Sequence, residues 1–85
     1  MPIAYLLITC NAAYREDVLS KLNELAEVTE ANGVYFGPYD IIVKVETNTM
    51  ERFNKVVGSD IKRIDNITSS VTLIRNEDLN AREQN

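Results

Sequence analysis

The sequence contains no histidine and no tryptophan, and it has one cysteine, three glycines and two prolines in 85 residues. One cysteine excludes a disulfide within the chain. A zinc site built from Cys and His is excluded too, since a lone thiolate cannot fill a tetrahedral shell. The commonest general base is missing with the histidines. Long apolar runs are also lacking: the longest is Ile3–Ile8, far short of the ~20 residues a membrane-spanning helix needs. No basic stretch precedes that run and no A-x-A-like cleavage site follows it, so it does not read as a secretory signal. A free cysteine without an export signal points to a reducing cytoplasm. Positive charge is in deficit, with nine Lys+Arg against 13 Asp+Glu and a net charge of −4. Gripping a phosphate backbone needs a basic face, so this chain by itself is not expected to bind duplex DNA.

What is present is one small domain, 45% hydrophobic and 26% charged. A domain of this size buries only about 60–65% of its unfolded surface, which leaves a thin margin of stability. With disulfides and a Cys/His metal site excluded, oligomerisation is the remaining support. Residues 1–75 read as a single domain and 76–85 as a polar tail.

Ile3–Cys10 is apolar and β-rich throughout and reads as a strand buried on both faces. From Tyr14 to Ala26, Val18, Leu19, Leu22, Leu25 and Ala26 follow helical spacing, with Arg15, Glu16, Asp17, Lys21 and Glu24 on the wet side. Val28–Phe36 reads as a second strand, with Asn32-Gly33 inside it read as a bulge or bend rather than a turn. Gly37-Pro38 ends it and turns the chain into a third strand, Tyr39–Thr47, giving a hairpin. Asn48 reads as an N-cap with Glu51 completing a capping box. Met50, Phe53, Val56 and Val57 then form the apolar face of a second helix, closed by Gly58-Ser59. Asp60–Asp65 reads as a helical turn with Ile61 and Ile64 inward, and Ile67–Ile74 as the last strand. The order β-α-β-β-α-β, with two helices on one face of a four-stranded antiparallel sheet, is the ferredoxin-like α+β sandwich.

The last strand divides into Ile67, Ser69, Val71 and Leu73 against Thr68, Ser70, Thr72 and Ile74. Its more apolar members, Ile67, Val71 and Leu73, are assigned to the helix side, which leaves a Thr-Ser-Thr row on the open side. The first strand is apolar on both faces. A two-layer monomer would leave one of those faces in water, and contiguous exposed apolar surface marks an interface. A second copy of the chain is therefore expected over Ile3, Tyr5 and Leu7, with Ile42 and Ile74. The competing cover is the tail, which offers one large apolar residue, Leu79.

Few residues invite chemistry. Asp40 follows Gly37-Pro38-Tyr39 at the hairpin. It reads either as an anchor for a ligand's ammonium group, with loop N–H groups taking a carboxylate, or as a turn residue capping its own backbone. Ser70 and Thr72 read either as hydroxyls for a polar ligand or as ordinary strand formers. Tyr35 and Tyr39 either wall a pocket or pack the hairpin. Cys10 reads as a core thiol with no base to activate it, and Met50 as core packing. Glu16, Asp17 and Glu51 sit at helix starts, where the macrodipole favours acids, and are not a paired acid–base set. Nothing in the composition calls for a cofactor.

Ala4-Tyr5-Leu6-Leu7-Ile8-Thr9, a helix running into Leu22-x-x-Leu25-Ala26-Glu27-Val28, and Gly37-Pro38-Tyr39-Asp40 followed by Ile41–Val45 together resemble the leucine-responsive regulator family, Lrp/AsnC. The family pattern at the hairpin is Gly-x-Tyr/Phe-Asp before an apolar strand. In the closing strand, Ser70 and Thr72 match two positions where the family carries Thr. Ala13 and Asn66 stand where the family often has glycine. The resemblance covers about residues 3–75 and is to a stand-alone effector domain, without the helix-turn-helix half that most members carry. It implies a dimer with facing sheets, dimers closing into a ring of eight or ten chains, and amino acids bound in clefts between dimers. Gly37, Tyr39, Asp40, Ser70 and Thr72 are the ligand-binding candidates it implies here. The functional expectation is an oligomeric small-molecule sensor linked to transcriptional regulation and not an enzyme. The alternative is an assembly module that joins full-length regulators without a ligand of its own. An enzyme on this scaffold would need a His, a Trp or a paired carboxylate placed for chemistry.

Overall fold

In the computed structural model, residues 2–34 and 37–75 are described. The elements are β1 (Ile3–Cys10), a single 3-10 turn (Ala12–Tyr14), α1 (Arg15–Asn23), β2 (Val28–Gly33), β3 (Ile41–Glu46), α2 (Met50–Lys55) continuing as a π-helical turn (Val56–Asp60), and β4 (Ile67–Ile74). The sheet is antiparallel with strand order β2-β3-β1-β4. This is the expected ferredoxin-like arrangement. The most apolar strand, β1, takes a central position with partners on both edges.

Alternation along the strands builds the core. Ala4, Leu6 and Ile8 of β1 and Ile41, Val43 and Val45 of β3 are fully buried on one face. The helices close that face with Val18 and Leu22 from α1, and with Phe53, Val56 and Ile61 from α2 and the turn after it. Ile61 and Ile64 do point inward, as their spacing suggested. Cys10 is buried at the end of β1, a core thiol as expected.

Several local expectations are corrected. The helix after β1 ends at Asn23, short of Ala26. Strand β2 ends at Gly33, and the pairing runs regularly through Asn32 and Gly33; the irregularity falls instead between Val28 and Glu30, leaving Thr29 as the extra residue. Tyr35 and Phe36 lie outside the described residues. The cap of α2 is Thr49, whose hydroxyl accepts the Arg52 N–H at 3.2 Å. Glu51 is therefore one position too early for a capping box. Met50, the first helical residue, is 50% exposed and not core. Gly58-Ser59 does not close the helix but lies within the π turn. The tail, residues 76–85, lies outside the described residues.

The larger correction concerns β4. Its range is as expected, but its phase is not. Thr9 faces Ser69 while Cys10 faces Ile67, so Thr68 is an extra residue and the alternation slips there. Ile67 packs against the core. Beyond the slip, Ser70, Thr72 and Ile74 lie opposite Ile8, Leu6 and Ala4 and so share the helix-covered face. Val71 and Leu73 lie opposite Leu7 and Tyr5 on the open face. The Thr-Ser-Thr row is not the open surface, and Ile74 does not belong to the apolar open face. Both bulged residues are threonines that return a hydroxyl to the neighbouring strand: Thr29 donates to the Lys44 carbonyl at 3.3 Å and Thr68 to the Thr9 carbonyl at 3.1 Å. Each hydroxyl bond ties down a backbone acceptor where the ladder is interrupted.

The open face divides in two. Over β1 and β4 it is apolar, with Tyr5, Leu7, Val71 and Leu73 adjoining Ile3 and Ile42. Over β2 and β3 it is polar, with Glu30, Asn32, Lys44 and Glu46. Tyr5, Val71 and Leu73 are 39%, 41% and 49% exposed in the single chain.

Candidate functional site

Gly37, Pro38, Tyr39 and Asp40 occupy the link between β2 and β3, at the end of the sheet where β1 finishes. The Asp40 backbone ties this link to the sheet from both sides. Its N–H donates to the Ile8 carbonyl at 2.8 Å, and its carbonyl accepts the Val34 N–H at 2.8 Å. Its side chain does more: Oδ2 accepts the Cys10 N–H at 2.9 Å. The carboxylate thus bonds the backbone at the end of β1 and not that of its own turn, as the turn reading had it. Gly37 and Pro38 are exposed and Tyr39 is half-buried. Among the described residues, a Cβ added to Gly37 would meet no atom within 4 Å.

Ser70 and Thr72 are half-buried on β4, facing the helix side of the sheet edge. Ile8 lies between Asp40 and Ser70, bonded to one and paired with the other. Two strand spacings, about 10 Å, therefore separate their backbones. Within one chain the structure groups Gly37, Tyr39 and Asp40 and leaves Ser70 and Thr72 across β1.

A residue the sequence reading placed on the wet side joins the loop. Arg15, the first residue of α1, is half-buried. Its guanidinium packs over Gly33: Cζ and Nε each lie 3.9 Å from the point a Gly33 Cβ would occupy. The Asp40 carbonyl oxygen is 3.9 Å from that same point. Periodicity could not find this contact, because it depends on how α1 packs against β2. The Cys10 thiol reports both charges. Burial pushes it above its usual range and the Asp40 carboxylate adds to this, while Arg15 opposes. Such a thiol is held protonated and is a poor nucleophile.

A groove of about 650 Å³ lies elsewhere, between α1 and the turn before β4, where Asp17, Lys21, Glu24, Arg63 and Asn66 are among its walls. It contains none of the candidate ligand residues. Among the described residues no three Cys, Asp or Glu side chains gather as a metal site requires, and no helix is long and apolar enough to cross a membrane.

Comparison with known proteins decides what this framework is. The model of the Lrp/AsnC ligand binding domain matches residues 3–82. The chain belongs to the Lrp/AsnC family. It is 39% identical over 70 residues to the regulatory protein AsnC of Haemophilus influenzae, a match covering 80% of this chain and 45% of that protein. The chain thus spans about half the length of the curated relative it matches. The crystal structure of FFRP-DM1 superposes with a TM-score of 0.82 at 36% identity, covering 88% of this chain and 99% of that one. A Neisseria meningitidis transcriptional regulator, NMB0573, solved as a complex with L-Met, shares the fold with a TM-score of 0.75 at 14% identity, covering 87% of this chain and 49% of that one. The fold and the family are those expected from the residues, and the matching region is the family's ligand binding domain.

Proposed function

We propose that this Lrp/AsnC domain is an oligomeric small-molecule sensor that binds a free amino acid or a similar metabolite at the Gly37–Asp40 loop. Family membership carries the reading, because the matching region is a ligand binding domain. The L-Met complex of a protein with the same fold supports an amino acid as the ligand class. Gly37 and Tyr39 shape the opening and Asp40 contributes the negative charge for an ammonium group. Ser70 and Thr72 stand across β1 from that loop, so in this reading they come from a neighbouring chain and the site lies in a cleft between dimers. The dimer forms through the apolar half of the open face, and dimers close into a ring of eight or ten. The domain works in the cytoplasm and acts on transcription through regulators of its own family, without touching DNA itself.

One observation favours a second reading. The Asp40 carboxylate already accepts the Cys10 N–H, which suits a loop built only for stability. On that reading the domain is an assembly module that co-oligomerises with full-length regulators and has no ligand.

A thermal-shift screen against the twenty L-amino acids separates the two. A sensor is stabilised by a subset of them, by about 2.7 kcal/mol at a hundredfold excess over the dissociation constant. An assembly module responds to none.

A further inference from the structure

The two edge strands of the sheet are built differently. Strand β2 is six residues long, carries Glu30 and is interrupted at Thr29. A short strand, a charge and a bulge are devices that keep an edge from pairing with another chain. Strand β4 runs for eight residues, Ile67–Ile74, with no charged residue, proline or glycine. Its slip at Thr68 affects only the start, so the regular edge runs from Ser69 to Ile74. One bond fixes the direction of its backbone. The Arg75 N–H donates to the Ile3 carbonyl at 3.0 Å and so faces β1. Directions alternate along an antiparallel strand. Leu73 and Val71 therefore also face β1, and Ser70, Thr72 and Ile74 turn their N–H and C=O groups outward. Among the described residues no strand lies on that side. The side chains point the same way: Ile74 is 41% exposed although it lies on the helix-covered face, where a partner seated on the open face could not cover it.

We infer that the outer edge of β4 pairs antiparallel with the β4 edge of a second copy of the chain, about a two-fold axis at Thr72, so that two sheets become one. The strand is complementary to itself in that register, as a two-fold contact requires. Thr72 lies opposite the partner's Thr72, and Ser70 opposite the partner's Ile74. Every outward N–H and C=O of the three residues then gains a ladder partner. On the open face Val71 lies opposite the partner's Leu73, apolar against apolar, and the apolar halves of the two chains adjoin. On the helix side the partner's strand covers Ile74. No charges meet along the paired strands. The tail is a poorer occupant, since residues 76–85 hold no β-branched or aromatic residue and one large apolar one, Leu79. This edge contact is distinct from the facing-sheet dimer proposed above, leaves the open face free for it, and does not depend on a ligand.

Disulfide trapping in the full chain tests the contact. Pairing about Thr72 places the two Thr72 Cα atoms about 5.5 Å apart, within the span of a disulfide. The facing-sheet dimer holds its two Thr72 side chains on opposite outer sides, so it cannot give this link. Under mild oxidation at micromolar concentration, Thr72→Cys should form a covalent dimer about tenfold or more faster than Lys21→Cys, whose exposed site on α1 reports random collision. Cys10 is buried and common to both. Equal rates overturn the inference and leave the facing-sheet dimer and the sensing reading standing. With Thr72→Cys and Leu79→Cys in one chain, an intramolecular disulfide in place of the dimer puts the tail on this edge and also overturns it. A charge swap gives a second readout. Thr72→Lys and Thr72→Glu each set like charges opposite one another on the axis. Each alone should show a lower mass than wild type in light scattering, and an equimolar mixture should recover it. Wild-type mass in both single variants overturns the inference; if either loses its wild-type circular dichroism, the trapping result decides.

Discussion

Cys10 and Asp40, 30 residues apart in the chain, are joined by a 2.9 Å hydrogen bond from the Cys10 N–H to Asp40 Oδ2. It ties the last residue of β1 to the link that leads into β3. A part-buried N–H held by an ionised acceptor is worth about 1.5–3 kcal/mol, and an unmade one costs a similar amount. Asp40→Ala should therefore lower the stability of the ligand-free chain by about 1–3 kcal/mol in urea unfolding. Asp40→Asn keeps an acceptor oxygen and should lose less. The same variants report on the site. Where Asp40→Ala still assembles, its affinity for an amino acid bound by the wild type should fall by about ten- to a hundredfold. Unchanged affinity would leave Asp40 as a clasp only and place the ligand elsewhere.

Strand identity was legible in the residues because β1 is apolar on both faces and Ile67–Ile74 is bounded by turn residues. The phase of β4 was not. It depends on one extra residue, Thr68, and threonine is an ordinary strand former, so composition carries no sign of it. The cap of α2 was ambiguous for a similar reason: Asn48 and Thr49 are both capping residues, and only the Thr49–Arg52 bond separates them. The Gly37–Asp40 loop was legible as a motif. Arg15 was not, because its approach to Gly33 is set by tertiary pairing and helical periodicity records only the apolar positions.

Asn66 is the one non-glycine residue with positive φ among those described, at 75°. It stands just before β4, and its carbonyl accepts the Asn11 N–H at 2.9 Å. Asparagine tolerates this left-handed geometry better than other residues with a Cβ. Asn66→Ala should lower stability by about 1 kcal/mol. Asn66→Gly should stay within about 0.5 kcal/mol of wild type, since relief of backbone strain opposes a more flexible unfolded chain. A thermal melt that ranks alanine at or above glycine would contradict this account.

At the other end of the sheet, Arg52 holds Glu27. Its Nε donates to Glu27 Oε2 at 3.1 Å, and its terminal nitrogen donates to the same oxygen. The hydrogen bond from Arg52 is the main cause that lowers the Glu27 carboxyl below its ordinary value. A lowered carboxylate contributes stability that is fully present above its unfolded pKa and is lost as pH falls through the lower folded value. Wild type should therefore shed this contribution on acidification below the ordinary glutamate range, about pH 4.3. Arg52→Ala should flatten that part of the pH–stability curve while leaving its neutral and alkaline side parallel to wild type. The effect should shrink in high salt, because the Arg52 side chain is about half exposed.

The division of the open face makes assembly testable without unfolding the chain. Leu7 is half-buried in central β1, so Leu7→Glu should dissociate the dimer and also destabilise the fold. Leu73 lies on the edge strand, opposite Tyr5, and is 49% exposed in the single chain. Its replacement removes little from the core. Leu73→Glu would place a carboxylate in the apolar half of the face, where a partner chain would strip it of water. The expected outcome is a folded chain, with wild-type circular dichroism, whose dimer dissociation constant rises about a hundredfold or more, equivalent to ~2.7 kcal/mol. Asn32→Lys provides the control, since Asn32 is exposed on the polar half of the same face, and it should assemble as wild type does. Light scattering across micromolar concentrations reads both variants. If Leu73→Glu keeps the wild-type mass while Asn32→Lys dissociates, the contact runs over β2 and β3 instead. If the wild type itself is monomeric at these concentrations, the apolar face is not a self-interface and the proposed ring has no dimer to build from.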